Sequence, residues 1–255
     1  MQTSKDQFAG MSSARLSIDM GDLGTLAFDQ GSGSGLKTID DKTPTAAEEI
    51  WDGLDGLTTG GLVGAAGSSG VFNYIQTFSG VTFNGAARKG SGTSNSDGSS
   101  SGAGQSAWDF ALTGSGDTMG IDGLAWGLGY GESEAGTEAF TTGSPHDTEH
   151  MTVFANYSMG PVTFGGQLSH IAGGKVGANN ENTQAWGVAF NVNDNLSVSY
   201  GEREVEYAKA GAVDVTEDGD GIAIAYTMGS MKIAGNRNEV SDNDGTAGRE
   251  DSLTE

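Results

Sequence analysis

Between residues 14 and 241, short runs of apolar side chains recur at every second position, and the residues between them are mostly Gly, Ala, Ser, Thr or Asn. Ala14, Leu16 and Ile18 alternate with Arg15, Ser17 and Asp19, while Trp108, Phe110 and Leu112 alternate with Asp109, Ala111 and Thr113. Leu124, Trp126, Leu128 and Tyr130 are interleaved with Ala125, Gly127, Gly129 and Gly131. A period of two is that of a β-strand with one apolar face. The same pattern runs through 25–29, 70–78, 81–88, 151–157, 162–168, 186–192, 196–200, 222–228 and 231–233, so about twelve strands are predicted.

The connections between these strands keep a strict phase. Short turns at 20–24, 79–80, 114–122, 158–161, 193–195 and 229–230 alternate with long polar stretches at 30–69, 89–105, 133–147, 171–182, 207–217 and 241–250. Short turns on one rim and long loops on the other mark an up-and-down transmembrane barrel. Greek-key crossings in a soluble sandwich would not keep that phase. Proline occurs only at 44, 145 and 161, all in loops or turns, as an unbroken hydrogen-bonded ladder requires.

Composition decides between water and lipid. Apolar residues make up 35% of the 255, few for a soluble domain of this size, whereas a membrane barrel needs them on its lipid face only. A net charge of −22 with low hydrophobicity also describes disordered chains, but those lack the periodicity seen here. No run of about 18 apolar residues would make a membrane-crossing helix, and Met1 is not followed by a secretory signal pattern. The expected state is therefore a mature form or a fragment. The absence of cysteine excludes disulfides and thiolate metal sites and suits passage through an oxidising periplasm. With 12 Lys and Arg against 34 Asp and Glu, nucleic acid is not an expected partner.

One segment departs from the strand pattern. Residues 36–55 carry six acids, Asp40, Asp41, Glu48, Glu49, Asp52 and Asp55, against Lys37 and Lys42. Pro44 followed by Thr45 and Glu48 fits a helix start with a capping box, so 46–51 is predicted to form a short helix. It lies within the loop 30–69, and a loop of that length inside a compact domain is usually functional.

The chain resembles the Gram-negative general diffusion porins, particularly their short alphaproteobacterial relatives. The likeness rests on Ala14-Arg15-Leu16, on Gly21-Asp22-Leu23-Gly24-Thr25-Leu26, and on Ile39-Asp40-Asp41-Lys42-Thr43-Pro44 with its following acids. The hairpins NYSMGPVTFGGQ, AFNVNDNLSVSYGE and AYTMGSMKIAGN extend it along the whole chain.

The resemblance implies one all-β, antiparallel transmembrane barrel domain of the sixteen-stranded type over residues 1–255, with 30–69 as an inward-folded constriction loop. It also implies that strands before Met1 and after Glu255 are missing, the ending DSLTE falling where the last strand should begin. The implied activity is passive diffusion of small hydrophilic solutes and cations through a water-filled, cation-preferring outer-membrane channel. No enzymatic activity, cofactor or metal is implied. The implied partners are outer-membrane lipid, lipopolysaccharide and two further copies in a homotrimer.

Asp40, Asp41, Glu48 and Glu49 would form the acidic side of the constriction, with Arg15 and Arg88 as facing wall arginines. Ile75 stands where the family pattern has another arginine. Trp108, Trp126, Trp186, Tyr130, Tyr157 and Tyr226 are candidate interfacial aromatics. His146, His150 and His170 have no Cys or neighbouring His that would suggest a metal site. A secreted, acidic Gly-rich adhesin or calcium-binding β-roll should show tandem GGxGxD repeats, and an outer-membrane barrel enzyme should group a nucleophile, a His and an acid near one rim. Neither feature is present.

Overall fold

The alternation is realised as one antiparallel sheet in which every strand pairs only with its neighbours in sequence. The computed structural model describes residues 14–31, 33–51, 54, 61–67, 69–90, 106–134, 147–173, 179–209 and 213–255. Its strands are β1 (Ala14–Asp19), β2 (Thr25–Gln30), β3 (Ser69–Phe78), β4 (Val81–Arg88), β5 (Ala107–Ser115), β6 (Leu124–Ser133) and β7 (Thr148–Met159). They continue with β8 (Val162–Ala172), β9 (Asn179–Asn193), β10 (Leu196–Lys209), β11 (Val215–Met228), β12 (Met231–Ser241) and β13 (Asp251–Thr254). Among the described residues there are thirteen strands where about twelve were expected, the extra one being β13 in the DSLTE segment. Strands β9 to β11 run 15, 14 and 14 residues, so the connections expected at 171–182 and 207–217 shrink to 173–178 and 210–214.

The two faces of the sheet are inverted relative to a soluble protein. Leu16, Ile18, Phe72, Leu168, Trp186, Ile222 and Ile224 stand exposed on the outer face, with Leu16 at 70%. The buried side chains of the opposite face include Asp29, Asn73, Asp109, Gln167, Thr183, Arg203, Glu217 and Asn238. An apolar belt of this extent left open to water would be an aggregation surface; against hydrocarbon it is the ordinary exterior of a transmembrane barrel.

The edge of the belt is marked by aromatic residues with acidic partners. Trp108 packs on Tyr130 at 5.8 Å and Trp186 on Tyr200 at 5.7 Å between ring centres. The Tyr130 hydroxyl donates to Glu132 at 2.5 Å, and Glu202 accepts from both Tyr200 Oη at 2.7 Å and Trp186 Nε1 at 3.2 Å. Rings on the apolar side with polar ends aimed at carboxylates are the arrangement expected where hydrocarbon meets headgroup.

The small apolar core lies beneath the long loop. Leu36, Ile39 and Val63 from the loop bury against Ala111 of β5 and Phe154 of β7, and Ala66 buries against Val71 and Ala86. β6 makes room for this because its inner face is Gly127, Gly129 and Gly131. A side chain at Gly129 would overlap Leu36, and one at Gly131 would overlap Asp109.

The expected α-helix at 46–51 is absent: among the described residues the loop contains only a 3-10 turn, Gly35–Ile39. The capping geometry is diverted. Thr45 Oγ1 accepts from Ala47 N at 3.3 Å but donates to the Glu48 carbonyl at 2.6 Å, and the Ala46 N–H goes to Ser199 Oγ at 2.9 Å. Backbone groups that a helix would pair internally are paired with the wall instead.

Candidate functional site

The loop between β2 and β3 folds over the polar face of the sheet, and its placement can be followed bond by bond. At its first root, buried Asp29 accepts from Ser34 Oγ at 2.7 Å. Arg15 Nη2 donates to Asn73 Oδ1 at 2.6 Å, and its Nη1 reaches the Gly33 carbonyl at 3.4 Å and lies 4.0 Å from the Asp29 carboxylate. Asn84 Oδ1 accepts from Gly35 N at 3.0 Å. Asp109 of β5 then clasps both legs of the loop, taking the Leu36 N–H at 3.0 Å on one oxygen and the Ala66 N–H at 2.7 Å on the other. Arg88, at the end of β4, stands beside Gly67 of the returning leg, close enough for its charge to act on Asp109.

Farther on, the Gln167 amide of β8 donates to the Ile39 and Asp40 carbonyls at 2.8 and 3.0 Å and accepts the Lys42 N–H at 2.6 Å. Asn156 of β7 donates to the Lys42 carbonyl at 2.7 Å, and Asn238 of β12 donates to the Glu49 carbonyl at 3.3 Å. Trp51 closes the crossing by covering the Arg203 guanidinium, 4.8 Å from ring centre to Cζ. Arg203 is itself buried and lies 3.6 Å from Glu217, which also accepts from Tyr207 Oη at 3.2 Å and from Asp244 N at 2.8 Å. On the way back Gly61 N bonds Glu181 at 2.7 Å, and Gly64 N bonds His150 Nδ1 at 3.4 Å.

The six residues singled out in the sequence do not form one cluster. Asp40 and Asp41 sit together over β8, with Lys42 Nζ 3.5 Å from Asp41 and Lys37 acting on Asp40. Glu48, exposed, lies by Thr45 near Ser199 of β10, its carbonyl accepting from Thr45 Oγ1, and Glu49, partly buried, reaches β12 through its carbonyl, so the four acids are spread along the wall from β8 to β12. Burial, and then the neighbouring Asp41 carboxylate, push Asp40 up to about 7. Arg15 and Arg88 stand at the two roots of the loop. Ile75 is opposite Thr25 and Asn84 in the sheet. Asp52, Asp55 and His146 lie outside the described residues; His150 is within β7 and His170, in β8, contacts Asn182 at 2.7 Å.

Sequence reasoning missed the residues that hold the loop: Asp109, Gln167, Asn156, Asn238 and the Arg203–Glu217 pair. Their available signal was parity, since each is a polar group on the face opposite the apolar one.

A family profile described as Gram-negative porin matches residues 1–254. The chain belongs to the Gram-negative porins. Solved structures agree in fold. OmpF of Salmonella typhi, in complex with daunomycin, aligns at a TM-score of 0.66 and 13% identity, covering 94% of this chain and 75% of that one. An anion-selective porin from Comamonas acidovorans aligns at 0.60 and 14%, covering 94% and 74%, and OmpT of Vibrio cholerae at 0.62 and 12%, covering 90% and 69%. No match was found among curated protein sequences. This porin is therefore a non-enzymatic general diffusion channel of the Gram-negative outer membrane, its thirteen strands matching the larger barrels of those relatives.

Proposed function

We propose that residues 30–69 form the constriction of this porin and that the passage prefers cations. The supporting observation is the unequal treatment of charge along the loop. The wall arginines are engaged where they stand: Arg15 beside buried Asp29, Arg88 beside Asp109, and Arg203 against Glu217 under Trp51. Asp41 and Glu48 instead keep solvent-accessible carboxylates on the loop, with half-buried Asp40 beside Asp41 and with Lys42 and Lys37 as the nearby cations at that pair. A permeating cation then meets acids whose field is only partly offset by bases.

The preference is modest. Two unit charges 4 Å apart in water interact by about 1 kcal/mol, and screening at physiological salt acts over about 8 Å. A several-fold selectivity that fades in concentrated salt follows. Reversal potentials of the full-length protein in a salt gradient test this; Asp41→Asn with Glu48→Gln should lower the cation preference, and an anion preference in the unaltered channel would overturn the reading. Assembly as a homotrimer and contact with lipopolysaccharide belong to the same proposal, on family grounds, and native-gel mass of the detergent-extracted protein tests the first.

A further inference from the structure

Four glycines lie side by side on the inner wall. Gly165 of β8 pairs with Gly187 of β9, Gly187 with Gly201 of β10, and Gly201 with Gly221 of β11. Asparagine flanks the row at both ends, Asn156 of β7 opposite Gly165 and Asn238 of β12 opposite Gly221. None of the four glycines has a positive φ, so the backbone does not demand glycine at any of them. Glycine in a strand interior weakens the strand and often marks a close approach by another backbone.

At Gly187, Gly201 and Gly221 that approach is made by residues 42–50, joined at Gly221 by the Asn238 side chain; at Gly165 it is made by the Asn156 side chain of the wall. The two flanking asparagines hold the carbonyls of Lys42 and Glu49. Between them, the Pro44 carbonyl oxygen lies 2.6 Å from where a Gly187 Cβ would be, and Ile50 Cβ lies 3.1 Å from where a Gly221 Cβ would be. Ile50 Cγ2 is 3.3 Å from the corresponding point at Gly201. The rows on either side carry side chains at seven of their eight positions: Gln167, Ala185 and Arg203 on one, which ends in Gly219 on β11, and Thr163, Ala189, Ser199 and Ala223 on the other. The loop therefore lies in a trough one residue wide across β8 to β10 that broadens at Gly219 on β11.

We propose that Gly187, Gly201 and Gly221, with Asn156 and Asn238 as end clamps, are positioning residues that set how far the loop projects into the lumen and so the size of solute that passes. The inference rests on the loop narrowing the lumen and is independent of its charge preference. A methyl at Gly187 meets a backbone atom, which moves only if the loop moves with it.

The test uses the full-length protein in planar bilayers, with sugar-driven liposome swelling as a size ruler. Gly187→Ala and then Gly187→Val should lower conductance stepwise and shrink the largest sugar admitted, with reversal potential unchanged because no charge is altered. Ala155→Val, on the lipid face, should leave all three readouts alone. Folded Gly187→Val channels with unchanged or raised conductance would overturn the proposal.

Should that variant fail to fold, Ile50→Cys with Gly221→Cys decides. The chain has no cysteine of its own, and the two Cβ positions are close to the 3.5–4.5 Å typical of a disulfide. Oxidation should cross-link this pair, and the side chain added at Gly221 should keep conductance below that of the unaltered channel in both the oxidised and reduced forms. Failure to cross-link, or a conductance at or above that of the unaltered channel, would overturn the proposal. An anion-selective channel that passes these tests would refute the charge reading alone.

Discussion

The same loop is held in opposite ways at its roots and at its far side. On β2 to β5 the wall reaches out: Asp29, Asn84 and Asp109 extend polar side chains to the loop, and three of the bonds end on loop backbone amides. On β8 to β11 the wall withdraws, offering glycine where side chains would stand and letting the loop backbone come into contact. The first mode depends on a few directed bonds and the second on shape, with hydrogen bonds only at the edges of the trough. The root should therefore fail by losing single groups, and the crossing by gaining them or by losing the buried ion pair beside it.

The largest loss is expected from Glu217→Ala, which leaves the Arg203 charge buried without its carboxylate. Breaking such a pair from one side costs about 3–5 kcal/mol. It should be read as a lower temperature for loss of the compact, heat-modifiable band in detergent gels.

Asp109→Ala strands two buried amides, each worth about 1–3 kcal/mol. It should loosen the root while the trough contacts persist, seen as protease nicking within 36–66 and larger, noisier single-channel currents. Asp109→Asn keeps one acceptor oxygen and should lie between the two. Trp51→Phe keeps a ring over Arg203 but a weaker one, and should cost about 1 kcal/mol in the same thermal assay.

The smallest effect concerns pH. Asp40 is raised to about 7, so it is ionised at pH 8 and mostly protonated at pH 6. One negative charge leaves the loop as pH falls through that range, and cation preference should weaken accordingly. Asp40→Asn should show the low-pH behaviour throughout, with reversal potential as the measurement.

Much of the wall was legible before any coordinates because it obeys local rules. β4 occupies the residues that alternation assigned to it, 81–88, and the apolar parity of Leu16, Trp108 and Ile222 predicted which way each side chain points. The loop was legible as a place but not as a conformation. Thr45 and Glu48 carry a genuine helix-start pattern, overruled because Ser199 and Asn238, more than 150 residues away in sequence, compete for the backbone groups around them. The trough was invisible for a related reason. Gly165, Gly187, Gly201 and Gly221 are four unremarkable glycines among 44 until pairing places them in one row. Parity could have found Asp109 and Gln167 individually, but not that they hold the same loop.

The glycine row also orders events in folding. The segment that fills it follows the second strand, yet its seat exists only once β8 to β11 have paired in register, and its last clamp, Asn238, is separated from Glu49 by 189 residues. Contacts that close so long a loop form late, after the local hairpins that make them possible. The part synthesised early is thus the part seated last, and a nascent barrel should pass through a stage in which its wall is zipped and its lumen still open.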